Sequence, residues 1–92
     1  MVNFVTKKDA TRVAFNAEKI KISITAAAME AGLTNEQAAE TTEKVLGLVM
    51  DSFKNVEEVT TTEISEKVLT ELDVVAPQVA ESWRKYEESK HA

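Results

Sequence analysis

The chain opens on two apolar pairs, Val2/Phe4 and Val13/Phe15, with a charged middle from Lys7 to Arg12 between them. Such a pattern predicts two short strands joined in a hairpin, Val2–Lys7 and Arg12–Phe15. A regular pleat would point Val2, Phe4 and Thr6 one way and Asn3, Val5 and Lys7 the other. Asp9-Ala10 is the predicted turn. It is a weak signal, because glycine after the aspartate would supply a left-handed residue without steric cost. The period then changes. Ile20, Ile24, Ala27 and Ala31 recur at helical spacing and predict a helix over Asn16–Ala31. Asn16 stands at its N-cap and Gly32 at its stop.

A second helix follows over Thr34–Ser52. Thr34 and Gln37 have the spacing of a capping box. Ala38, Val45, Val49 and Phe53 form its apolar seam, with Leu46 and Met50 alongside, and the polar stretch Asn35–Glu43 should face water. Gly47 inside this helix costs about 1 kcal/mol against alanine, which suggests a close helix contact there. Lys54–Thr61 reads as a connector, and Val56–Thr60 within it is either a third short strand or an irregular link. Thr60 with Glu63 makes a second capping box, Thr61 being the alternative cap. The third helix is predicted over Glu63–Leu72, with Ile64, Val68, Leu69 and Leu72 apolar. Asp73–Ala76 reads as a break, and Pro77 suits the first turn of a last helix. Val79, Trp83 and Tyr86 give that helix its stripe, and core packing is the plainer reading of Trp83. The charged tail from about residue 88 should fray. The fold class is therefore α+β: a short N-terminal hairpin and a third short strand covering four helices.

A length of 92 residues fits a single domain over residues 1–92 with one modest core. Cysteine is absent, which excludes disulfides and thiolate metal sites. The only histidine, His91, lies at the end of the chain, so no nucleophile–histidine–acid set can form. The carboxylate pairs Glu57-Glu58 and Glu87-Glu88 are sequence neighbours, and neighbours on a helix do not face each other. Glycine-rich phosphate loops, calcium loops and zinc spacings are missing. The chain is read as a non-enzyme. No apolar run approaches a membrane span and no signal peptide is visible, so a cytoplasmic location is expected.

Charge changes the picture. The net charge is −5, which disfavours general nucleic-acid binding. Yet residues 1–21 carry five basic and two acidic side chains, a net of +3, against −8 for the remainder. Lys7, Lys8, Arg12, Lys19 and Lys21 gather where the hairpin meets the first helix. Free N–H groups and the dipole at a helix start attract anions, and lysines there add formal charge. That junction is the candidate anion site. The plainer alternatives are a hairpin charged for solubility and a solvated helix face.

Val5-Thr6-Lys7-Lys8-Asp9, followed by Phe15-Asn16-x-Glu18-Lys19-Ile20, resembles the opening of an ATP-cone domain. These are nucleotide-sensing modules found at the N-terminus of many ribonucleotide reductases and in a bacterial repressor of their genes. Val59-Thr60-Thr61-x-Glu63-Ile64 resembles the cap before the family's third main helix. Ala80, Trp83 and Tyr86 have the spacing of its last helix. The resemblance covers Val2 to about Lys90. It implies a three-stranded sheet over four helices, with ATP or dATP bound under the hairpin, accompanied by Mg2+. Carried over by position, Val5, Lys7 and Lys8 match hairpin residues around the nucleotide. Asn16 and Lys19 match helix-start residues, Thr61 a threonine that contacts the nucleotide, and Lys90 a basic residue near the end of the last helix.

The implied function is allosteric control of ribonucleotide reductase activity or subunit association. The implied partners are the nucleotide effector, a reductase catalytic domain or subunit, and further copies of the chain in a ligand-dependent oligomer. Four positions depart from the pattern. Ala10 replaces a usual glycine, Lys8 an arginine with its phosphate-matching fork, Val13 an often acidic residue, and Glu87 a usual arginine. The alternative reading is a degenerate cone that serves as a protein-interaction module without nucleotide. A small nucleic-acid adaptor using the basic hairpin is a third. The chain is only the cone, either an excised domain or a free-standing relative.

Overall fold

The computed structural model describes residues 2–91, with side chains described from Val2 to Tyr86. Its elements run β1 (Phe4–Thr6), β2 (Arg12–Ala14), α1 (Ala17–Glu30), α2 (Asn35–Ser52), β3 (Glu58–Thr60), α3 (Thr61–Val75) and α4 (Pro77–His91). The strands form one sheet in the order β2-β1-β3. β1 pairs antiparallel with β2, Val5 opposite Val13, and parallel with β3, Val5 opposite Val59. The parallel pair needs a long crossover, and α1 and α2 provide it. The four helices form a closed ring in which α1 touches α2 and α4, and α3 touches α2 and α4.

Local chemistry explains most of the boundaries. Asn16 is extended, and its side-chain oxygen accepts from the Glu18 N–H at 3.0 Å, which starts α1. Gly32, at φ +95°, takes the left-handed conformation that ends it. Both capping boxes form, Thr34 with Gln37 and Thr60 with Glu63. Of the two caps weighed for α3, Thr60 is the one used, and Thr61 is the first residue of the helix. The connector yields a strand over its last three residues only.

Several expectations are corrected. The hairpin turn is a three-residue loop, Lys8-Asp9-Ala10. Lys7 and Thr11 pair across it, the Lys7 carbonyl accepting from the Ala10 N–H at 2.9 Å. Ala10 sits at φ +71°, so the left-handed position is kept without a glycine. The regular pleat stops short of Val2: both Val2 and Val5 are buried, whereas Phe4 lies on the outer face under the Arg12 guanidinium, 4.1 Å from its ring centre. Val2 precedes β1, so strand alternation does not govern it.

Helix α3 continues through Asp73, Val74 and Val75, and the break is Ala76 alone. A proline restricts the backbone of the residue before it, and Ala76 is extended, at φ −153° and ψ 82°. Residues further upstream are not so constrained. The early turns of α2 do not all face water. Ala38 and Thr42 are buried, and the Thr42 hydroxyl meets that of Thr25 on α1 at 2.9 Å. At Gly47 no close contact exists, since a Cβ there would meet nothing within 4 Å.

The core is continuous from sheet to bundle. Ile24, Val45, Val49, Val68, Leu72 and Val79 are fully enclosed, and Val5 and Val59 close it from the sheet side. The strands are short, three residues each, which keeps the sheet small.

Candidate functional site

Between the sheet and the helices lies a cavity of about 270 Å³, near the lower end of the volumes that hold small ligands. Each wall follows from a local rule. β1 and β2 contribute Val5, Val13 and Ala14, and Lys7 joins them at the end of β1. Phe15 and Asn16 carry the chain from β2 into α1. Along α1 come Lys19, Ile20 and Ser23, spaced so that one helix face turns inward. Thr61, Ile64 and Ser65 do the same on α3, and Trp83 and Tyr86 complete the wall from α4.

Two helix starts therefore border one space. The first turns of α1 and α3 leave backbone N–H groups that the helix itself cannot satisfy. At α1, Asn16 takes the Glu18 N–H; at α3, Thr60 takes the Glu63 N–H at 3.0 Å. The positive ends of both dipoles remain aimed at this region. Lys7 and Lys19 are the only formally charged groups among the described lining residues, and none of those residues is acidic. In a chain of net charge −5 this is a local reversal of sign.

The remaining basic residues near the chain start are engaged elsewhere. Arg12 bonds Glu58 at 3.0 Å on the outer face of the sheet, where the Thr6 hydroxyl donates to the same carboxylate at 2.7 Å. Lys21 meets Glu43 of α2 at 3.3 Å. Lys8 is in the hairpin loop, outside the cavity lining. The five cations that are close in sequence thus divide, and Lys7 and Lys19 alone of the five face the cavity.

Other parts of the wall are apolar or aromatic. Val5, Val13, Ile20 and Ile64 provide a greasy surface beside the cations, and Trp83 and Tyr86 stand 6.4 Å apart with rings tilted by 45°. Trp83 is both core and wall: its ring is buried, while its Nε1–H donates to the Ser65 hydroxyl at 3.4 Å. Tyr86 is 47 % exposed. A cavity with cations on one part and aromatic faces on another suits a ligand with an anionic end and a flat apolar end.

Of the residues singled out in the sequence, Val5, Lys7, Asn16, Lys19 and Thr61 share this cavity. Lys8 does not line it, and Lys90 lies outside the described side chains, as do Glu87 and His91. Sequence reasoning did not single out Ser23 and Ser65. A signal was available, because Ser23 lies four residues after Lys19 and Ser65 four after Thr61, one turn along the same helix face. Among the described residues no group of acidic or histidine side chains is arranged to hold a metal ion, and no helix is long and apolar enough to cross a membrane.

The fold is that of a small α+β domain, with a strand hairpin laid over the starts of two helices. The family comparison is specific: the model for the ATP cone domain matches residues 3–92. The chain belongs to the ATP-cone family. ATP-cone domains bind ATP or dATP, act as regulatory modules associated with ribonucleotide reductases, and carry no catalytic residues of their own. A comparison with curated proteins finds no match.

Proposed function

We propose that this chain is one regulatory domain spanning residues 1–92, binds ATP or dATP in the cavity under the hairpin, and thereby controls the activity or subunit association of a ribonucleotide reductase. The observation that carries the reading is the local charge reversal. Lys7 and Lys19 face a space with no acidic residue among its described walls, beside two helix starts, in an acidic protein. Polyphosphate is the ligand whose charge such a place offsets. The triphosphate would lie between Lys7, Lys19 and the Thr61 hydroxyl, with Mg2+ accompanying it. Val5 and the other apolar walls would take the base and sugar, and Asn16 would hold the helix start in place. Lys8, in the loop, and Lys90 enter the proposal as further cationic contacts.

Regulation requires that the nucleotide bind one arrangement of reductase subunits better than another, since a ligand shifts an equilibrium only by its differential affinity. A tenfold preference corresponds to about 1.4 kcal/mol, within the usual range of allosteric coupling. The partner surface is a reductase catalytic domain or subunit, or a second cone in a ligand-dependent oligomer.

The test is titration with ATP and with dATP, each with and without Mg2+, followed by calorimetry and amide NMR. Saturable binding with shifts at Lys7, Asn16, Lys19 and Thr61 is expected. Flat titrations at millimolar nucleotide, in both magnesium conditions, would sink the proposal.

A further inference from the structure

Helices α3 and α4 are joined by one residue, Ala76, whose extended backbone stands at φ −153° and ψ 82°. Such a joint leaves the rotation of α4 about its own axis to the side chains that cross the corner. Arg84 crosses it. Its Nη2 donates to both oxygens of Asp73, near the end of α3, at 2.9 Å each, and its Nη1 donates to Glu81, one turn back on α4, at 3.1 Å. The guanidinium is thus held from both helices at once, a task that suits its planar set of donors better than a lysine ammonium. The side chains of Arg84 and Asp73 are 43 % and 44 % exposed, and an ion pair so open to water adds little to stability. Its neighbours give it another use. Trp83 and Tyr86 both line the cavity. Trp83 is buried among the core residues, whereas Tyr86 is 47 % exposed and takes less of its place from burial. Residues two apart on a helix lie about 200° from each other round the axis, so Arg84 and Tyr86 stand on opposite flanks of α4. Pinning one flank to α3 turns the other toward the cavity.

We propose that Arg84 and Asp73 are positioning residues for ligand recognition: their ion pair sets the rotation of α4 and so holds the Tyr86 ring against the flat, apolar end of the ligand. The inference rests on the nucleotide reading of the cavity and goes beyond it, since neither Arg84 nor Asp73 lines that space. The pair joins α3 to α4. The cations of the cavity come from other elements, Lys7 from the end of β1 and Lys19 from α1. Loosening α4 therefore disturbs the aromatic wall and leaves the cationic one in place. The base end of a nucleotide should feel the pair, and the phosphate end should not.

Calorimetric titration with ATP and with inorganic tripolyphosphate, which has the phosphates but no base, tests the proposal. Arg84→Ala and Asp73→Ala should each weaken ATP about fivefold, the scale of one aromatic contact, and leave tripolyphosphate within about twofold of the wild type. Tyr86→Ala should show the same selective loss. The double variant Arg84→Ala/Tyr86→Ala should bind ATP no more weakly than Tyr86→Ala alone, because a residue that acts through another adds nothing once the other is gone. A merely structural role would instead move both ligands together. Equal losses for ATP and tripolyphosphate, no loss for either in Arg84→Ala, or full additivity in the double variant overturns this inference while the nucleotide reading stands. A wild type that binds neither ATP nor tripolyphosphate overturns the nucleotide reading, and this inference with it.

Discussion

Within the helical ring, Ile24, Val45, Val49, Val68, Leu72 and Val79 pack with no more than traces of exposed surface. Across the sheet the arrangement differs. Three strands of three residues each bury only Val5 and Val59 inward. Their outer face is tied by Arg12, Glu58, Thr6 and the Phe4 ring, all of them polar or half-exposed contacts. The ring is thus stabilised by apolar burial, which is large and non-directional. The sheet depends on ladder hydrogen bonds and surface pairs, each individually small. The cavity lies at the seam. Its cations come from both sides, Lys7 from the sheet and Lys19 from the ring, so ligand binding would join the weaker layer to the stronger one.

The sharpest way to break this contrast is in the ring. Leu72→Ala should cost about 3 kcal/mol, as large-to-small changes at enclosed sites do, read as a lowered denaturant midpoint. A loss below about 1 kcal/mol would place the stability elsewhere. At the seam the effect should fall on binding instead. Lys7→Ala with Lys19→Ala should leave the melting temperature within a few degrees but weaken ATP by at least about tenfold, each lysine contributing a charge-assisted contact. Unchanged affinity in that double variant would show that the nucleotide is held without these two lysines.

Smaller effects belong to the sheet layer. Ala10→Gly should stabilise the protein by about 1 kcal/mol, because alanine at a left-handed φ crowds its own Cβ, and thermal melting would register it. Arg12→Ala should cost under about 1 kcal/mol, with the loss shrinking in high salt, since both members of the pair are about half exposed. The smallest change is expected with pH. Hydrogen bonds from the Thr11 side chain and backbone N–H hold the fully exposed Asp9 carboxyl below its usual range. A depressed pKa means the contribution is present above the ordinary carboxylate value and is lost as pH falls through the lowered one. The Thr11 amide should therefore exchange faster only below about pH 4, with the ring helices unaffected. Loss of Thr11 protection at neutral pH would contradict it.

Periodicity and caps, which are local, were readable along the chain. The 3.6-residue spacing of Ile20, Ile24 and Ala27, the two capping boxes and the placing of Pro77 each act within a few residues, so the helices could be located without a tertiary structure. The left-handed loop residue was legible as a requirement but not as an outcome, because alanine's intrinsic preference argues against it and the pairing of Lys7 with Thr11 overrides that preference. The length of α3 past Leu72 was also decided outside the segment. Asp73 there holds Arg84 of α4 through two bonds of 2.9 Å.

The charge cluster shows the same division. Sequence put five cations within fifteen residues of one another, but nearness along a chain does not set direction. Strand alternation sent Arg12 to the outer face, helix rotation gave Lys21 to Glu43, and the loop took Lys8 away from the cavity lining. Which lysines face the cavity, and that Ser65, Trp83 and Tyr86 meet them there, depends on how α3 and α4 close against the hairpin. Those residues stand 46 to 79 positions from Lys7 and Lys19, and no local pattern carries such information; only the packing of the whole core fixes it.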